Sequence, residues 1–169
     1  MQAAIESLYF HLPHSAIVGE LSLYSRYWKK FRGSVVMENK DAKKMLESLA
    51  LTANAGAYTS HMDLISKEVS VYGVPGFEVI GYDDWARQCE YEFDEGLLKR
   101  VSYEGLRVVT VTPGNVLFKT TETVEGTDGT INRQGVEILI RKESDGKWRV
   151  VQERILADDE MEFDKHKTL

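Results

Sequence analysis

Glu153 is the residue of this sequence whose position most strongly indicates acid–base chemistry. Asp145-Gly146 is a two-residue hairpin signal, and a turn there places Glu153 opposite Ile138 on an otherwise aliphatic strand face. Burial on such a face disfavours the charged carboxylate, and the raised pKa that follows suits a general acid or base. The alternatives are a position at the rim of the sheet or a structural ion pair with Lys119 or Arg149. The same turn predicts the pairs Ile140–Val151, Val136–Ile155, Arg141–Val150, Leu139–Gln152 and Glu137–Arg154.

The strand before this hairpin is predicted to bring a cation towards Glu153. If Asp128-Gly129 is the turn of the loop Glu125–Asn132, Lys119 lies beside Ile138 on the inner face. Next-but-one strands are roughly 10 Å apart, so the long side chains of Lys119 and Glu153 would meet over Ile138. A register slip of one residue would turn Lys119 outward. The predicted inner positions are Leu117, Lys119, Thr121 and Thr123, with Leu106, Val108 and Thr110 inside and Val109 and Val111 outside on the preceding strand.

Composition limits the classes of protein to which this sequence could belong. At 169 residues and 43% hydrophobic, the chain has enough residues for one sizeable core. A net charge of −6 argues against a nucleic-acid surface. The single cysteine excludes an internal disulfide and suits a reducing cytoplasm. With no run of 18 apolar residues and no basic N-terminal region, we expect neither a membrane span nor a signal peptide.

Motifs for metals and cofactors are weak. His11 and His14 have an H-x-x-H spacing, but no third or fourth ligand accompanies them, so we predict no metal site. The sequence has no glycine-rich phosphate loop, no G-x-S-x-G elbow and no C-x-x-C pair, and we expect no cofactor. The acidic run from Asp158 to Glu162 is typical of a solvated end.

Helices precede strands along the chain. A helix over Ser15–Arg32 presents Ile17, Leu21, Tyr24, Trp28 and Phe31 on one face, and a second helix after Asn39 or Asp41 presents Ala42, Met45, Leu46, Leu49 and Ala53. The third helix, Ala57–Ile65, is short, and strands Val69–Tyr72 and Phe77–Ile80 follow it. A fourth helix, Tyr82–Phe93, places Trp85, Cys89 and Phe93 four residues apart, before four long strands. This order predicts an α+β fold.

The stretch from Ala55 to Asp158 resembles the nuclear transport factor 2-like superfamily, which includes ketosteroid isomerases and SnoaL-like cyclases. The resemblance rests on A-N-A-G-A-Y-T-S-H-M-D-L-I-S-K-E-V-S-V-Y-G-V-P-G, I-G-Y-D-D-W and S-D-G-K-W-R-V-V-Q-E-R-I. It implies a cone-shaped α+β domain, with helices packed in the concave face of a strongly curved, mainly antiparallel sheet. We expect this domain over residues 41–160, a helical extension over 1–40 and a polar tail over 161–169.

The resemblance also implies positions for site residues. His61 stands where the family usually has an apolar residue, so it is a candidate proton shuttle or donor to a ligand carbonyl. The alternatives are a core histidine bonded to the backbone and a histidine that faces solvent. Tyr58, Tyr72 and Trp85 are the aromatic residues expected around the cavity mouth, while Cys89 is expected to be a packed thiol. Ketosteroid isomerases carry their carboxylate base where this chain has Gly73. Their second acidic position falls near Glu137 or Ile138.

Three hypotheses of function follow. The first is a binding domain of the SnoaL-like kind that takes a small hydrophobic ligand in the cone. The second is an isomerase, cyclase or dehydratase acting on a hydrophobic carbonyl compound, with Glu153 and His61 as proton carriers. The third is a structural subunit. A homodimer is expected through the outer sheet face, where Val109, Val111, Phe118, Leu139, Trp148 and Val150 would otherwise form an exposed apolar patch.

Overall fold

Residues 40–160 contain three helices and five strands, and the last four strands follow one another along the chain without an intervening helix. The computed structural model describes residues 40–160. The elements are α1 (40–54), α2 (Tyr58–Met62), β1 (Ile65–Tyr72), α3 (Tyr82–Asp94), β2 (Leu98–Thr112), β3 (Asn115–Gly126), β4 (Ile131–Lys142) and β5 (Trp148–Ile155), followed by a helical turn at 158–160. The predicted helix Ser15–Arg32, the pair His11 and His14, and the tail 161–169 lie outside the described residues.

The strands form one mainly antiparallel sheet in the order β1-β5-β4-β3-β2. Only the β1–β5 pair is parallel. Register shifts interrupt the β1–β5, β2–β3 and β4–β5 ladders, and such bulges bend and twist a sheet. The predicted α+β class is confirmed. The predicted strand Phe77–Ile80 is replaced by a loop that touches β1 through a single bridge, Val71 to Ile80.

The core lies between α1 and the inner sheet face. Ala42, Met45, Leu46, Leu49 and Ala53 of α1 are all buried, as the 3.6-residue spacing predicts. All of them except Ala53 belong to a cluster that includes Phe118 and Ile138, both fully buried. Each large side chain contributes roughly 1.5–3 kcal/mol when removed from water. Within the described residues, no helix has the length and apolarity needed to cross a membrane.

The β4–β5 register agrees with the sequence near Glu153 and departs from it nearer the turn. The predicted pairs Ile138–Glu153, Val136–Ile155, Glu137–Arg154 and Leu139–Gln152 are confirmed. Beyond Leu139 a bulge shifts the pairing, so that Ile140 lies opposite Val150 and Arg141 opposite Arg149. The prediction that Ile140 pairs with Val151 is therefore wrong, because one extra residue stands on β5 at this point.

The β3–β4 register prediction is wrong by one residue. The loop is longer than a two-residue turn: Gly126 donates to the Thr130 carbonyl, and Asp128 accepts from the Thr130 backbone. Lys119 therefore lies opposite Glu137, and Phe118 takes the place beside Ile138. A slip of one residue exchanges the faces of a strand. The inner positions of β3 are Val116, Phe118, Thr120 and Glu122, instead of Leu117, Lys119, Thr121 and Thr123.

This slip, together with the bulges on β2 and β5, removes most of the predicted outer apolar patch. Phe118 and Val150 are fully buried core residues. Val111 pairs with Val116 and packs against the core, as does Trp148. Thr110, predicted inside, is exposed. The core of the domain itself therefore buries, wholly or in part, four of the six predicted patch residues: Val111, Phe118, Trp148 and Val150.

Candidate functional site

Glu153 lies on the wall of a cleft between α3, the end of β1 and the loop that joins them. The bulge on β5 ends before Glu153, which stands between Ile138 on one side and Val71 on the other. The cleft has a volume of about 630 Å³. We call it the Glu153 cleft, and its other lining residues are Val71, Val74, Phe77, Ile80, Asp84, Trp85, Arg87, Gln88 and Tyr91.

The Glu153 carboxyl has no hydrogen bond or ion pair with any residue in the described part of the chain. Arg149, an alternative partner suggested by the sequence, is instead bound to three other acids. Its guanidinium lies 2.6 Å from Glu143, 2.8 Å from Asp145 and 3.2 Å from Asp63. Lys119 lies on the opposite face of the sheet. Neither predicted cation reaches Glu153.

A second carboxyl group, that of Glu122, lies on the inner face of the sheet, and its charge contributes to the raised pKa of Glu153. Glu122 accepts a hydrogen bond from the Tyr103 hydroxyl at 3.0 Å and another from the Gln134 side-chain amide at 3.1 Å. Each of its two oxygens therefore has a donor. Burial, followed by the charges on Glu122 and Glu153, raises the pKa of Tyr103 well above its usual value of 10.0. Tyr103 is thus a fixed hydrogen-bond donor across the pH range of ordinary assays.

The surroundings of Glu153 place its titration near neutrality. Removal from water, and secondarily the Glu122 charge, raise its pKa from 4.5 to about 8. A group that titrates near neutral pH exchanges a proton in either direction at modest free-energy cost. Carboxyl groups perturbed in this way inside clefts are candidates for functional sites.

Cys89 lies beside this cluster and behaves as a packed thiol. It is buried on α3, and burial, the charge on Glu92 and the nearby Glu153 together raise its pKa to about 12, despite a hydrogen bond to Trp85. A thiol in this state is a poor nucleophile at neutral pH. The structure agrees with the packed-thiol prediction.

His61 is a core histidine and does not line the Glu153 cleft. It is 7% exposed, its Nδ1 lies 2.9 Å from the Thr52 hydroxyl, and its ring meets Phe93 edge-on at 5.7 Å. Burial lowers its pKa to about 4. At neutral pH it is therefore uncharged and held by its own hydrogen bond. The structure does not bring His61 and Glu153 together at the cleft.

Of the residues predicted to line the ligand pocket, the Glu153 cleft contains Trp85. Tyr58 lines a separate surface cleft of about 860 Å³ whose charged side chains include Arg149. Tyr72 is 40% exposed at the end of β1, outside the Glu153 cleft. Lys119 pairs with Glu137 at 3.9 Å, and Thr121 lies opposite Gly135 on the outer face. The pocket positions predicted for Lys119 and Thr121 are wrong because of the register slip.

Sequence reasoning missed Glu122 and Tyr103. Both carry polar groups at inner positions of adjacent strands and lie directly opposite each other. The alternation Val116, Phe118, Thr120, Glu122 would have revealed Glu122 if the β3–β4 loop had been counted one residue longer.

Comparison with solved structures identifies the architecture. A candidate scytalone dehydratase from Novosphingobium aromaticivorans superposes with a TM-score of 0.62 at 12% identity, over 73% of this chain and 86% of that one. A candidate dehydratase of the nuclear transport factor 2-like family from Streptomyces avermitilis gives 0.58 at 17% identity, over 73% and 100%. A nuclear transport factor 2-like protein with a cystatin-like fold from Novosphingobium aromaticivorans gives 0.57 at 16% identity, over 76% and 88%. This chain has the nuclear transport factor 2-like fold. No protein-family model and no curated protein matches its sequence.

Within the nuclear transport factor 2-like fold, the position that the resemblance assigns to an isomerase base cannot hold a carboxylate here. Gly73 has a φ of +84°, and a Cβ atom on it would lie 2.8 Å from the Ile155 carbonyl oxygen. Any side chain there is strained and obstructed. The second acidic position of the isomerases does not supply a catalytic carboxyl group either, because Glu137 pairs with Arg154 at 3.2 Å and Ile138 is a fully buried aliphatic residue. Of the acidic positions considered in the sequence analysis, Glu153 is the one that lines a cleft in the described part of the chain.

A metal centre has no support in residues 40–160. No group of three or more His, Cys, Asp or Glu residues in this range is arranged to hold a metal ion. Both carboxyl oxygens of Glu122 already accept hydrogen bonds, one from the Tyr103 hydroxyl and one from the Gln134 side-chain amide.

Proposed function

We propose that this chain binds a small, largely apolar molecule in the Glu153 cleft. The observation that carries the proposal is a carboxyl group without a hydrogen-bond or ion-pair partner among the described residues. It lies on the wall of a cleft lined mostly by aliphatic and aromatic side chains, with Asp84, Arg87 and Gln88 among them. A volume of about 630 Å³ lies within the range of roughly 300–1,000 Å³ that is usual for small-molecule sites. A ligand with a complementary polar atom would satisfy Glu153 and cover the exposed ring of Phe77.

Two variants on one loop test the location of the site. Val74 lines the cleft, whereas Val79, on the same loop, is 46% exposed and does not. We expect Val74→Trp to fill the cleft and weaken binding of 2-acetylnaphthalene by about tenfold or more, measured by isothermal titration calorimetry. Val79→Trp, the matched control, should bind as the wild type does. Equal affinities in the two variants would place the ligand elsewhere.

A second function, acid–base catalysis on a hydrophobic carbonyl compound, is favoured by the neighbourhood of Glu153, Glu122 and Tyr103. The ionised Glu153 would take a proton from the carbon next to the ligand carbonyl and return one to the same or a neighbouring atom. Two structural neighbours are described as dehydratases, and a dehydration also needs such a proton carrier. The likeness to those proteins is one of fold, so the chemistry must be tested on this chain.

Deuterium exchange distinguishes the two functions. In D₂O, proton abstraction by Glu153 would exchange the methyl protons of 2-acetylnaphthalene, which NMR measures directly. We expect a rate that rises with pH around 8 and is abolished in Glu153→Gln, with binding retained. Binding without exchange above the protein-free rate would support a binding protein and exclude this reaction.

We also propose that this chain forms a homodimer through the outer face of the sheet. Leu117 and Leu139 pair on the outer sheet face, and Val109 is 46% exposed at a bulge of β2. These residues are a smaller apolar surface than the sequence predicted, and a homodimer through them would cover it. Light scattering at micromolar concentration tests this, with a mass of about twice 19.2 kDa expected for a dimer.

A further inference from the structure

Three aromatic rings line the Glu153 cleft together with the carboxyl group. Trp85 and Tyr91 come from α3, and Phe77 comes from the loop between β1 and α3. Phe77 and Tyr91 are both largely exposed, so the cleft keeps aromatic surface in contact with water. The face of an aromatic ring attracts cations. A carboxyl group in one cleft with several such rings is an environment that suits an organic ammonium ion.

The described part of the chain offers no cation to Glu153. Arg87, the basic residue among those that line the cleft, forms an ion pair with Asp84 on the same helix. The Trp85 indole N–H is engaged with the Cys89 sulfur and is not available as a donor either. Balancing the charge of an ionised Glu153 is therefore left to a proton or to a ligand.

Helix α3, which forms one wall of the cleft, is strongly acidic. Its sequence, Y-D-D-W-A-R-Q-C-E-Y-E-F-D, contains five carboxylate residues and one arginine. From the sheet, the charge of Glu122 also acts on Glu153, while the neutral Tyr103 and Cys89 add no positive charge. Such a field raises the local concentration of cations and repels anions.

We propose that the Glu153 cleft binds a primary ammonium ion attached to an apolar body, with the ammonium group at the Glu153 carboxylate and against the aromatic rings of the cleft. The inference rests on the proposed binding function and adds the chemical class of the ligand. The apolar body packs against the aliphatic lining, Val71, Val74 and Ile80. The ammonium group donates charge-assisted hydrogen bonds to the carboxylate, whereas an alcohol of the same shape donates only a neutral O–H.

Three probes of one shape test the ligand class by calorimetry at pH 8.5: 2-naphthylmethylammonium, 2-naphthylmethanol and 2-naphthoate. This pH is above the raised pKa of Glu153, about 8, and leaves a primary alkylamine largely protonated. We expect the ammonium ion to bind about tenfold or more tightly than the alcohol, and the carboxylate to bind most weakly. Because the naphthyl ring is common to the probes, Val74→Trp should weaken the binding of both the ammonium ion and the alcohol.

Three substitutions separate the contributions of the carboxylate and of the rings. Glu153→Gln should abolish the preference for the ammonium ion while the alcohol keeps its affinity within about threefold. Tyr91→Leu keeps an apolar side chain but removes a ring, and should weaken the ammonium ion by about threefold or more and the alcohol by less. Glu90→Gln is the control, because Glu90 is exposed on α3 and does not line the cleft; it should change each affinity by less than about twofold.

Each failure points to a different claim. An alcohol that binds the wild type as tightly as the ammonium ion overturns the inference and leaves the proposed binding function standing. A carboxylate that binds tightest, or an ammonium preference that persists in Glu153→Gln, also overturns it, because the ligand's charge is then not read by Glu153. If 2-acetylnaphthalene binds and these three probes do not, the inference alone fails. If none of the four compounds binds, the proposed binding function and its ligand class fail together.

Discussion

Replacing Glu153 by glutamine should make the protein more stable at alkaline pH and leave it nearly unchanged at acidic pH. Burial and the Glu122 charge raise the pKa of Glu153 in the folded protein to about 8, against 4.5 for the unfolded chain. Between these values the unfolded state loses this proton and the folded state keeps it. The free energy of unfolding therefore falls as pH rises through this window and levels off above it. Glutamine has nearly the same shape and does not titrate.

The size of the effect follows from the width of the window. One pKa unit corresponds to about 1.36 kcal/mol, so a shift from 4.5 to about 8 would cost about 5 kcal/mol in full. Because Glu153 is only partly shielded from solvent at the cleft wall, we expect about 2–4 kcal/mol between pH 5 and pH 9. That is a large part of the stability of an ordinary domain.

Urea denaturation at five pH values from 5 to 9 measures the effect as the difference between wild type and Glu153→Gln. Other titrating groups cancel in this difference when they are distant from the site. Glu78→Gln, the same chemical change at an exposed residue, is the control and should shift the free energy by less than about 0.5 kcal/mol at every pH. A difference that does not change with pH would refute the burial of Glu153. A difference of opposite sign would mean that a cation stabilises its carboxylate.

Three further substitutions test the frame around the site by urea denaturation. Gly73→Ala should cost about 2 kcal/mol or more, because its φ of +84° and the Ile155 carbonyl leave no room for a Cβ atom. His61→Gln should remove a pH dependence of stability that has the opposite sign to that of Glu153. With a folded pKa of about 4, His61 lowers the free energy of unfolding of the wild type by up to about 3 kcal/mol as pH falls from 6.5 to 4. Asn54→Ala should cost about 1–3 kcal/mol at all pH values, because the Asn54 amide bonds both the N–H and the C=O of Val101, at 2.6 Å and 3.0 Å.

Local patterns in the sequence predict α1 and α3 well, whereas the third predicted helix, Ala57–Ile65, is too long, because the helix ends at Met62 and β1 begins at Ile65. The apolar spacing from Ala42 to Ala53 gives both the existence of α1 and its buried face, since a helix presents every third or fourth residue to the core. The fourth predicted helix, Tyr82–Phe93, differs from α3 by one residue at its end. These elements depend on neighbours within a few turns, which the sequence displays directly.

Strand registers depend on loops and are harder to predict. The Asp145-Gly146 signal is strong, and it places Glu153 opposite Ile138 as observed. The loop between β3 and β4 contains two glycines, Gly126 and Gly129, and counting this loop one residue short places Lys119 on the inner face and turns Glu122 outward. The bulge on β5, which brings Val150 into the core, has no signal in the sequence. The sequence therefore predicts that Glu153 and Trp85 line one cleft, as they do in the structure, but it does not single out Glu122 and Tyr103.

The contrast between His61 and Glu153 supports the proposal that Glu153, rather than His61, faces a ligand. Both were predicted as proton carriers, and both are shielded from water with strongly shifted pKa values. His61 has its own hydrogen-bond partner in Thr52, so its burial is compensated within the protein. Glu153 has no such partner in the described chain and faces a second carboxyl group, which is a cost that an aliphatic residue at this position would avoid. A residue that lowers stability at a cleft wall is best explained by a ligand that compensates it, and this argument favours Glu153 over His61 independently of how the bound molecule reacts.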